Sequence, residues 1–199
     1  MKIKMCGMCR EQDIMYANAV RPDYVGYIFA PSSRRYITPE QAAAFTDRLD
    51  KSITPVGVFI NEDIGLIARL AGDGIIGAVQ LHGTEDAEYI SHLRRLTALP
   101  IIKAYKIRSE SDTAAAQKSS ADMILLDSGE GSGRLFDHSL LKGISRPYFL
   151  AGGLDTENIG AVLRELSPFG VDVSSGIETD GSKDMDKMQL FADIVRRTR

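Results

Sequence analysis

Cys6 and Cys9 stand three apart in Cys6-Gly7-Met8-Cys9, and thiols so placed have two chemical uses. A pair at this spacing can run disulfide exchange, and a single thiol brought from about 8.5 toward neutral can act as a base. Asp127 closes the apolar run Met123-Ile124-Leu125-Leu126 and is followed by Ser128-Gly129-Glu130-Gly131-Ser132-Gly133. A carboxyl shielded by a glycine-rich flap is raised in pKa and can donate a proton, although a lone aspartate also reads as a helix cap or loop residue. Ala151-Gly152-Gly153-Leu154 and Ser174-Ser175-Gly176 carry small residues that let backbone N–H groups approach an anion. Arg34 and Arg35 offer guanidinium groups that grip a carboxylate bidentately, or are simply solvated. Of the three histidines, His82 is the one placed to touch a ligand. His92 falls on a helix surface and His138 starts a helix. None has a carboxylate partner at the spacing of a Ser-His-Asp site.

Chemistry needs elements to hold these residues together. Short apolar runs alternate with amphipathic stretches from end to end, each pair taking roughly 25 residues, the rhythm of βα units. The runs predict strands at Lys2–Cys6, Tyr24–Phe29, Pro55–Ile60, Ile75–Leu81, Ile101–Tyr105, Met123–Asp127, Tyr148–Ala151 and Gly170–Val173. Helices are predicted at Glu11–Val20, Pro39–Leu49, Glu62–Leu70, Asp86–Leu96, Glu110–Ser119, Asp137–Leu141, Thr156–Leu166 and Asp186–Arg197. Thr38-Pro39-Glu40-Gln41 supplies a capping hydroxyl, a proline at the first helical position and a glutamine three residues on. Eight such pairs close into a (β/α)8 barrel or form an open doubly wound sheet. No G-x-G-x-x-G follows the first strand, which favours the barrel. No linker or composition shift divides the chain, so residues 1–199 read as a single (β/α)8-barrel domain.

A barrel gathers its reactive groups at the C-terminal ends of its strands. That brings Cys6, Arg35, Gln80, His82 and Asp127 to one mouth, with the loops after strands seven and eight as the usual phosphate site. Alternation along a strand turns Lys2, Lys4 and Cys6 to one side, and Asp172 with Ser174 likewise, leaving Val171 and Val173 against the helices. A lysine inside a barrel needs a counter-charge, so a Lys4–Asp172 pair is predicted. The charged tail from Glu178 to Lys187 reads as solvated. A thiol–disulfide oxidoreductase built on Cys6 and Cys9 fits poorly, because its motif opens the chain with seven strands still to come. A noncatalytic phosphosugar-binding barrel is the third reading.

Composition narrows the partners. With 24 Lys+Arg against 27 Asp+Glu the chain carries no basic footprint for nucleic acid. No apolar run is long enough to cross a bilayer, and the charged start lacks a signal core, which predicts a cytoplasmic protein without membrane contact. Two cysteines and three scattered histidines argue against a metal site, and no cofactor is expected.

Lys4-Met5-Cys6-Gly7-Met8, Ser33-Arg34-Arg35-Tyr36-Ile37, Val79-Gln80-Leu81-His82-Gly83, Leu125-Leu126-Asp127, Gly131-Ser132-Gly133 with Phe136-Asp137, Ala151-Gly152-Gly153-Leu154 and Val171-Asp172-Val173-Ser174-Ser175-Gly176-Ile177-Glu178 run in order along the chain. Together they resemble phosphoribosylanthranilate isomerase. The resemblance implies a cofactor-independent Amadori rearrangement of N-(5-phosphoribosyl)anthranilate in tryptophan biosynthesis, by a monomer or homodimer. It further implies Asp127 as general acid, Cys6 as general base, and Arg35 on the anthranilate carboxylate. Gly152, Gly153, Ser174, Ser175 and Gly176 would hold phosphate, with Gln80, His82 and Asp172 near the sugar. Two positions depart from the family pattern: Cys9 replaces a common threonine, and His138 stands where many relatives have tryptophan.

Overall fold

The computed structural model describes residues 1–127 and 138–198, without the side chains of 138 and 142. Its strands are β1 (Lys2–Cys6), β2 (Tyr24–Ile28), β3 (Thr54–Phe59), β4 (Ala78–Leu81), β5 (Ile101–Lys106), β6 (Met123–Asp127), β7 (Tyr148–Ala151) and β8 (Gly170–Val173), followed by the short pair β9 (Glu178–Thr179) and β10 (Ser182–Lys183). The helices are α1 (Glu11–Val20), α2 (Pro39–Arg48), α3 (Ile64–Gly72), α4 (Ala87–Arg94), α5 (Glu110–Gln117), α6 (Ile159–Glu165) and α7 (Met185–Arg197). Strands β1 to β8 pair in sequence order, all parallel, and β8 returns to β1 to close the barrel.

Local chemistry explains several boundaries. Thr38 caps α2 as expected: its hydroxyl accepts from the Gln41 N–H while Gln41 Oε1 accepts from the Thr38 N–H. The expected start of α3 at Glu62 moves to Ile64 because Asp63 is the N-cap, its carboxylate accepting from Leu66. Strand β4 begins at Ala78 rather than Ile75. Gly74 ends the helix at a positive φ of 70°, and the N–H groups of Ile75 and Ile76 bond back to the Leu70 carbonyl. Those two isoleucines pack without pairing. Where a helix is expected over Asp137–Leu141, a 3-10 turn spans His138–Gly143, and residue 137 lies outside the described residues. So does the glycine-rich stretch 128–133.

Alternation along the strands builds two separate cores. Ile3, Met5, Val79, Leu81, Ile124, Leu126, Val171 and Val173 face the helices, as Ile14, Ile67 and Phe191 do from the other side. Val56, Ala78, Ile102, Ala104, Leu125, Phe149 and Ala151 fill the inside of the barrel. Phe149 plugs the floor, edge-on to Tyr24 and Phe169 at 5.6 and 5.5 Å. Gly170 makes room for it, since a Cβ there would sit 2.5 Å from the phenyl ring. Bulk below and small residues above leave the mouth open.

Candidate active site

A cavity of about 1010 Å³ occupies that mouth. Cys6, Gln80, His82, Asp127, Gly152, Gly153, Asp172, Ser174 and Ser175 all line it. Cys6 and Ser174, 168 positions apart, thus share one space, because the inward position at each strand end faces the axis. Two candidates stand apart. Gly176 packs behind the cavity, bridging to Asp155, where any side chain would overlap the Leu154 carbonyl. Arg35 lies over Gly7, whose φ of +83° and lack of a side chain admit the arginine stem.

Cys6 is buried at the end of β1. Its Cα faces Gly26 of β2, and a Cβ on Gly26 would sit 2.5 Å from the sulfur, so this glycine holds the space that the thiol fills. Burial pushes the Cys6 thiol up, with the Lys4 and Lys183 ammonium groups opposing it. The expected drop toward neutral is therefore not present in the free site. Lys4 donates to Asp172 at 2.9 Å, with both side chains buried, as the alternation argument requires. Burial works against the Lys4 charge, but Asp172 and the Cys6 sulfur outweigh it and its pKa rises. Burial also raises Asp172, with Lys4 opposing; the 2.9 Å contact makes the two an ion pair. Lys2, by contrast, turns to solvent and pairs with Asp23.

Such a pair is costly to break. Lys4→Met is expected to destabilise the fold by about 3–5 kcal/mol because it strands a buried carboxylate, while Lys4→Met combined with Asp172→Leu recovers most of the loss. Urea unfolding midpoints of the two variants check this.

The tail after β8 is only partly solvated. β9 and β10 form a hairpin that buries Glu178 and Lys183 against the site. Glu178 accepts from Arg35 Nε and Nη2 at 2.7 and 2.8 Å, from Arg34 at 2.6 Å and from Lys183 at 2.8 Å. Burial raises the Glu178 carboxyl, but Arg35 and Lys183 outweigh it and hold Glu178 at about 2 rather than 4.5. The unfolded chain then takes up this proton before the folded one does. Stability is present above about 4.5 and falls as pH drops toward about 2. Glu178→Gln is expected to flatten that stretch of the stability curve, measured by urea unfolding at successive pH values. Asp180-Gly181, both at positive φ, is the turn dipeptide that marks such a hairpin in a sequence.

His82 continues β4 by donating its N–H to the Phe59 carbonyl. Its Nδ1 lies 2.9 Å from Gln80 Nε2 and its Nε2 lies 3.5 Å from Asp127 Oδ2. Lys103 and Glu85 form a second buried pair at 2.9 Å. They brace the loop after β4, because Lys103 also donates to the Gly83 carbonyl and Glu85 accepts from the Gly83 N–H. On the β7 loop, Gly152 and Gly153 have φ of 94° and 64°, and Asn158 donates to the Gly153 carbonyl at 2.7 Å. Ser174 Oγ donates to the Cys6 carbonyl, tying the β8 loop to β1.

The profile of the family described as N-(5'phosphoribosyl)anthranilate (PRA) isomerase matches residues 3–194. The chain belongs to this family. N-(5'-phosphoribosyl)anthranilate isomerase of Endomicrobium trichonymphae is 42% identical over 200 residues, covering 98% of each chain. The crystal structure of phosphoribosyl anthranilate isomerase from Thermotoga maritima superposes with a TM-score of 0.90 at 35% identity, covering 98% of each chain. A second, solved in complex with reduced 1-(o-carboxyphenylamino)-1-deoxyribulose 5-phosphate, gives 0.87 at 34% over the same share. As a PRA isomerase family member the chain is an enzyme of the isomerase class, built on the family's TIM barrel. The thiol–disulfide alternative gains nothing from the geometry. Cys9 does not line the cavity, and burial together with Asp13 raises its thiol, the reverse of what fast exchange needs.

The sequence argument missed Gly26, Glu178, Lys183 and the Lys103–Glu85 pair. Gly26 interrupts a predicted strand, and an isolated strand glycine is the signal of a close approach. Lys103 and Glu85 carry no such mark.

Proposed function

We propose that this chain converts N-(5-phosphoribosyl)anthranilate into 1-(2-carboxyphenylamino)-1-deoxyribulose 5-phosphate, with Asp127 as general acid and Cys6 as general base. Asp127 gives its proton to the ribose ring oxygen, the C1–O bond breaks, and the anthranilate nitrogen forms an iminium with C1. The Cys6 thiolate then removes the C2 proton, and the C2–H electrons neutralise the iminium to give an enolamine. Loss of the C2 hydroxyl proton and protonation at C1 yield the ketone. No external oxidant or reductant is consumed, so the reaction asks for no redox cofactor.

The observation that carries this reading is the shared cavity: Cys6 ends β1, Asp127 ends β6, and both face one space bounded by the small-residue loops of β7 and β8. The raised thiol fits an ordered sequence. Before ring opening Lys4 and Lys183 favour the thiolate against burial and Asp172. The iminium adds a cation beside the sulfur, so base strength appears after the acid has acted.

Gly152, Gly153, Ser174 and Ser175 bind the phosphate, with Gly176 letting the two loops close on each other. Arg35 takes the anthranilate carboxylate through Nη1, the guanidinium nitrogen that Glu178 leaves over. Gln80, His82 and Asp172 meet the sugar's polar groups. The relative bound to a reduced form of the product supports the phosphosugar assignment. Residues 1–199 act as one catalytic domain that works in the cytoplasm, alone or as a homodimer; the Thermotoga maritima relative is dimeric. A spectroscopic assay with freshly prepared phosphoribosylanthranilate tests the reading. Turnover to the carboxyphenylamino ketose is the expected result, and tight binding without turnover would leave a phosphosugar-binding barrel instead.

A further inference from the structure

We propose that Gln80 is a positioning residue that fixes the tautomer of His82, so that the imidazole presents an N–H, and not a lone pair, to the carboxyl of Asp127.

Gln80 is the third residue of β4, 1% exposed, and reaches the cavity from the barrel wall. Its amide nitrogen sits 2.9 Å from His82 Nδ1. An amide nitrogen can only donate, so Nδ1 must supply the lone pair and the ring proton must sit on Nε2. That nitrogen is the one 3.5 Å from Asp127 Oδ2. The ring cannot slide away, because the His82 backbone is pinned to Phe59 and the following loop is braced by Lys103 and Glu85.

A second observation sets the other end of the amide. Gln80 Oε1 is buried and has no hydrogen-bond partner among the described residues, in a wall that lines the cavity. A buried acceptor left open costs free energy unless something fills it. A donor on the bound sugar, a ribose hydroxyl, satisfies it. One side chain therefore reads the substrate with its oxygen and sets the histidine with its nitrogen. Substrate binding and the state of the acid are coupled through it.

The consequence for the reaction rests on Asp127 being the acid. When Asp127 surrenders its proton to the ring oxygen, a carboxylate is left, and the His82 Nε2–H is positioned to bond to it. His82 transfers no proton of its own. It stabilises the charge that develops on Asp127, which speeds ring opening and leaves ground-state binding nearly unchanged.

The tautomer is measured without substrate, so its test is separate from the test of the isomerase reading. Full-length protein labelled with 15N-histidine, at about pH 8 where an ordinary imidazole is neutral, gives ring nitrogen signals for three histidines, assigned with His82→Gln. The expected result is a protonated Nε2 and an unprotonated Nδ1 for His82. A proton on Nδ1, or on both nitrogens, overturns the proposal even if the enzyme turns over substrate normally.

Gln80→Glu tests the coupling, since it keeps the size and the acceptor but presents only oxygens to Nδ1. The carboxylate should draw a second proton onto Nδ1; the charged ring then holds Asp127 ionised, without a proton to give, and kcat should fall about tenfold with KM changed less than about threefold. A proton on Nδ1 with unchanged kcat would overturn the link to Asp127. Should the variant fail to fold, the wild-type spectrum still decides the tautomer.

Discussion

Cys6→Ala is expected to lower kcat by about a hundred- to ten-thousandfold, the range lost with a general base, while KM changes by less than about threefold. The binding elements do not depend on the sulfur. The β7 and β8 loops are held by Asn158, by the Gly176 contact and by the Ser174 bond to the Cys6 carbonyl, which alanine keeps. Lys4 remains paired with Asp172, so no buried charge is stranded. Cys6→Ser sharpens the test, because a hydroxyl of similar size does not ionise near neutral pH and should be nearly as inactive as alanine. Steady-state kinetics together with calorimetric binding of a reduced product analogue separate the two parameters. A raised KM with an intact kcat would make Cys6 a contact and not a base. In the wild type, kcat/KM should climb on the alkaline side of neutrality, since burial places the thiol above its ordinary value.

What could be read from the residues follows from how local the cause is. The bounds of β1, β6, β7 and β8 match the apolar runs because polar residues or glycine flank each run closely. β4 fails at its start, where Ile75 and Ile76 are apolar for packing while their N–H groups close the end of α3. Cys6, Asp127, Gln80, His82, Asp172 and the two small-residue loops came together because parallel strands in a barrel send their C-terminal ends to one place. The Lys4–Asp172 pair was legible for a reason of cost, since alternation turns both groups into an apolar interior. Glu178 was not, because its burial depends on a hairpin folding back over β8 and on cations from β2's loop, 143 and 144 residues away. Charge alone reads as exposure until a fold closes over it. The same limit hid Lys103 and Glu85, whose partnership links strand β5 to the loop after β4 with no pattern between them.

Asp127→Asn is expected to cost as much as losing the thiol, about a hundredfold or more in kcat, but at a different step. The amide fits the carboxyl's space at the end of β6 and presents an oxygen to the His82 ring as the carboxyl does, 3.5 Å from Nε2. What it cannot do is hand a proton to the ring oxygen. Ring opening then limits turnover, and removal of the C2 hydrogen becomes fast by comparison. Substrate carrying deuterium at C2 distinguishes the two variants. In Cys6→Ser the C–H bond breaks in the slow step, and deuterium should slow turnover to the full intrinsic extent. In Asp127→Asn the isotope effect should collapse toward unity even though the rate is equally low. Equal isotope effects in both variants would place the two residues on the same proton and remove the division of labour between acid and base.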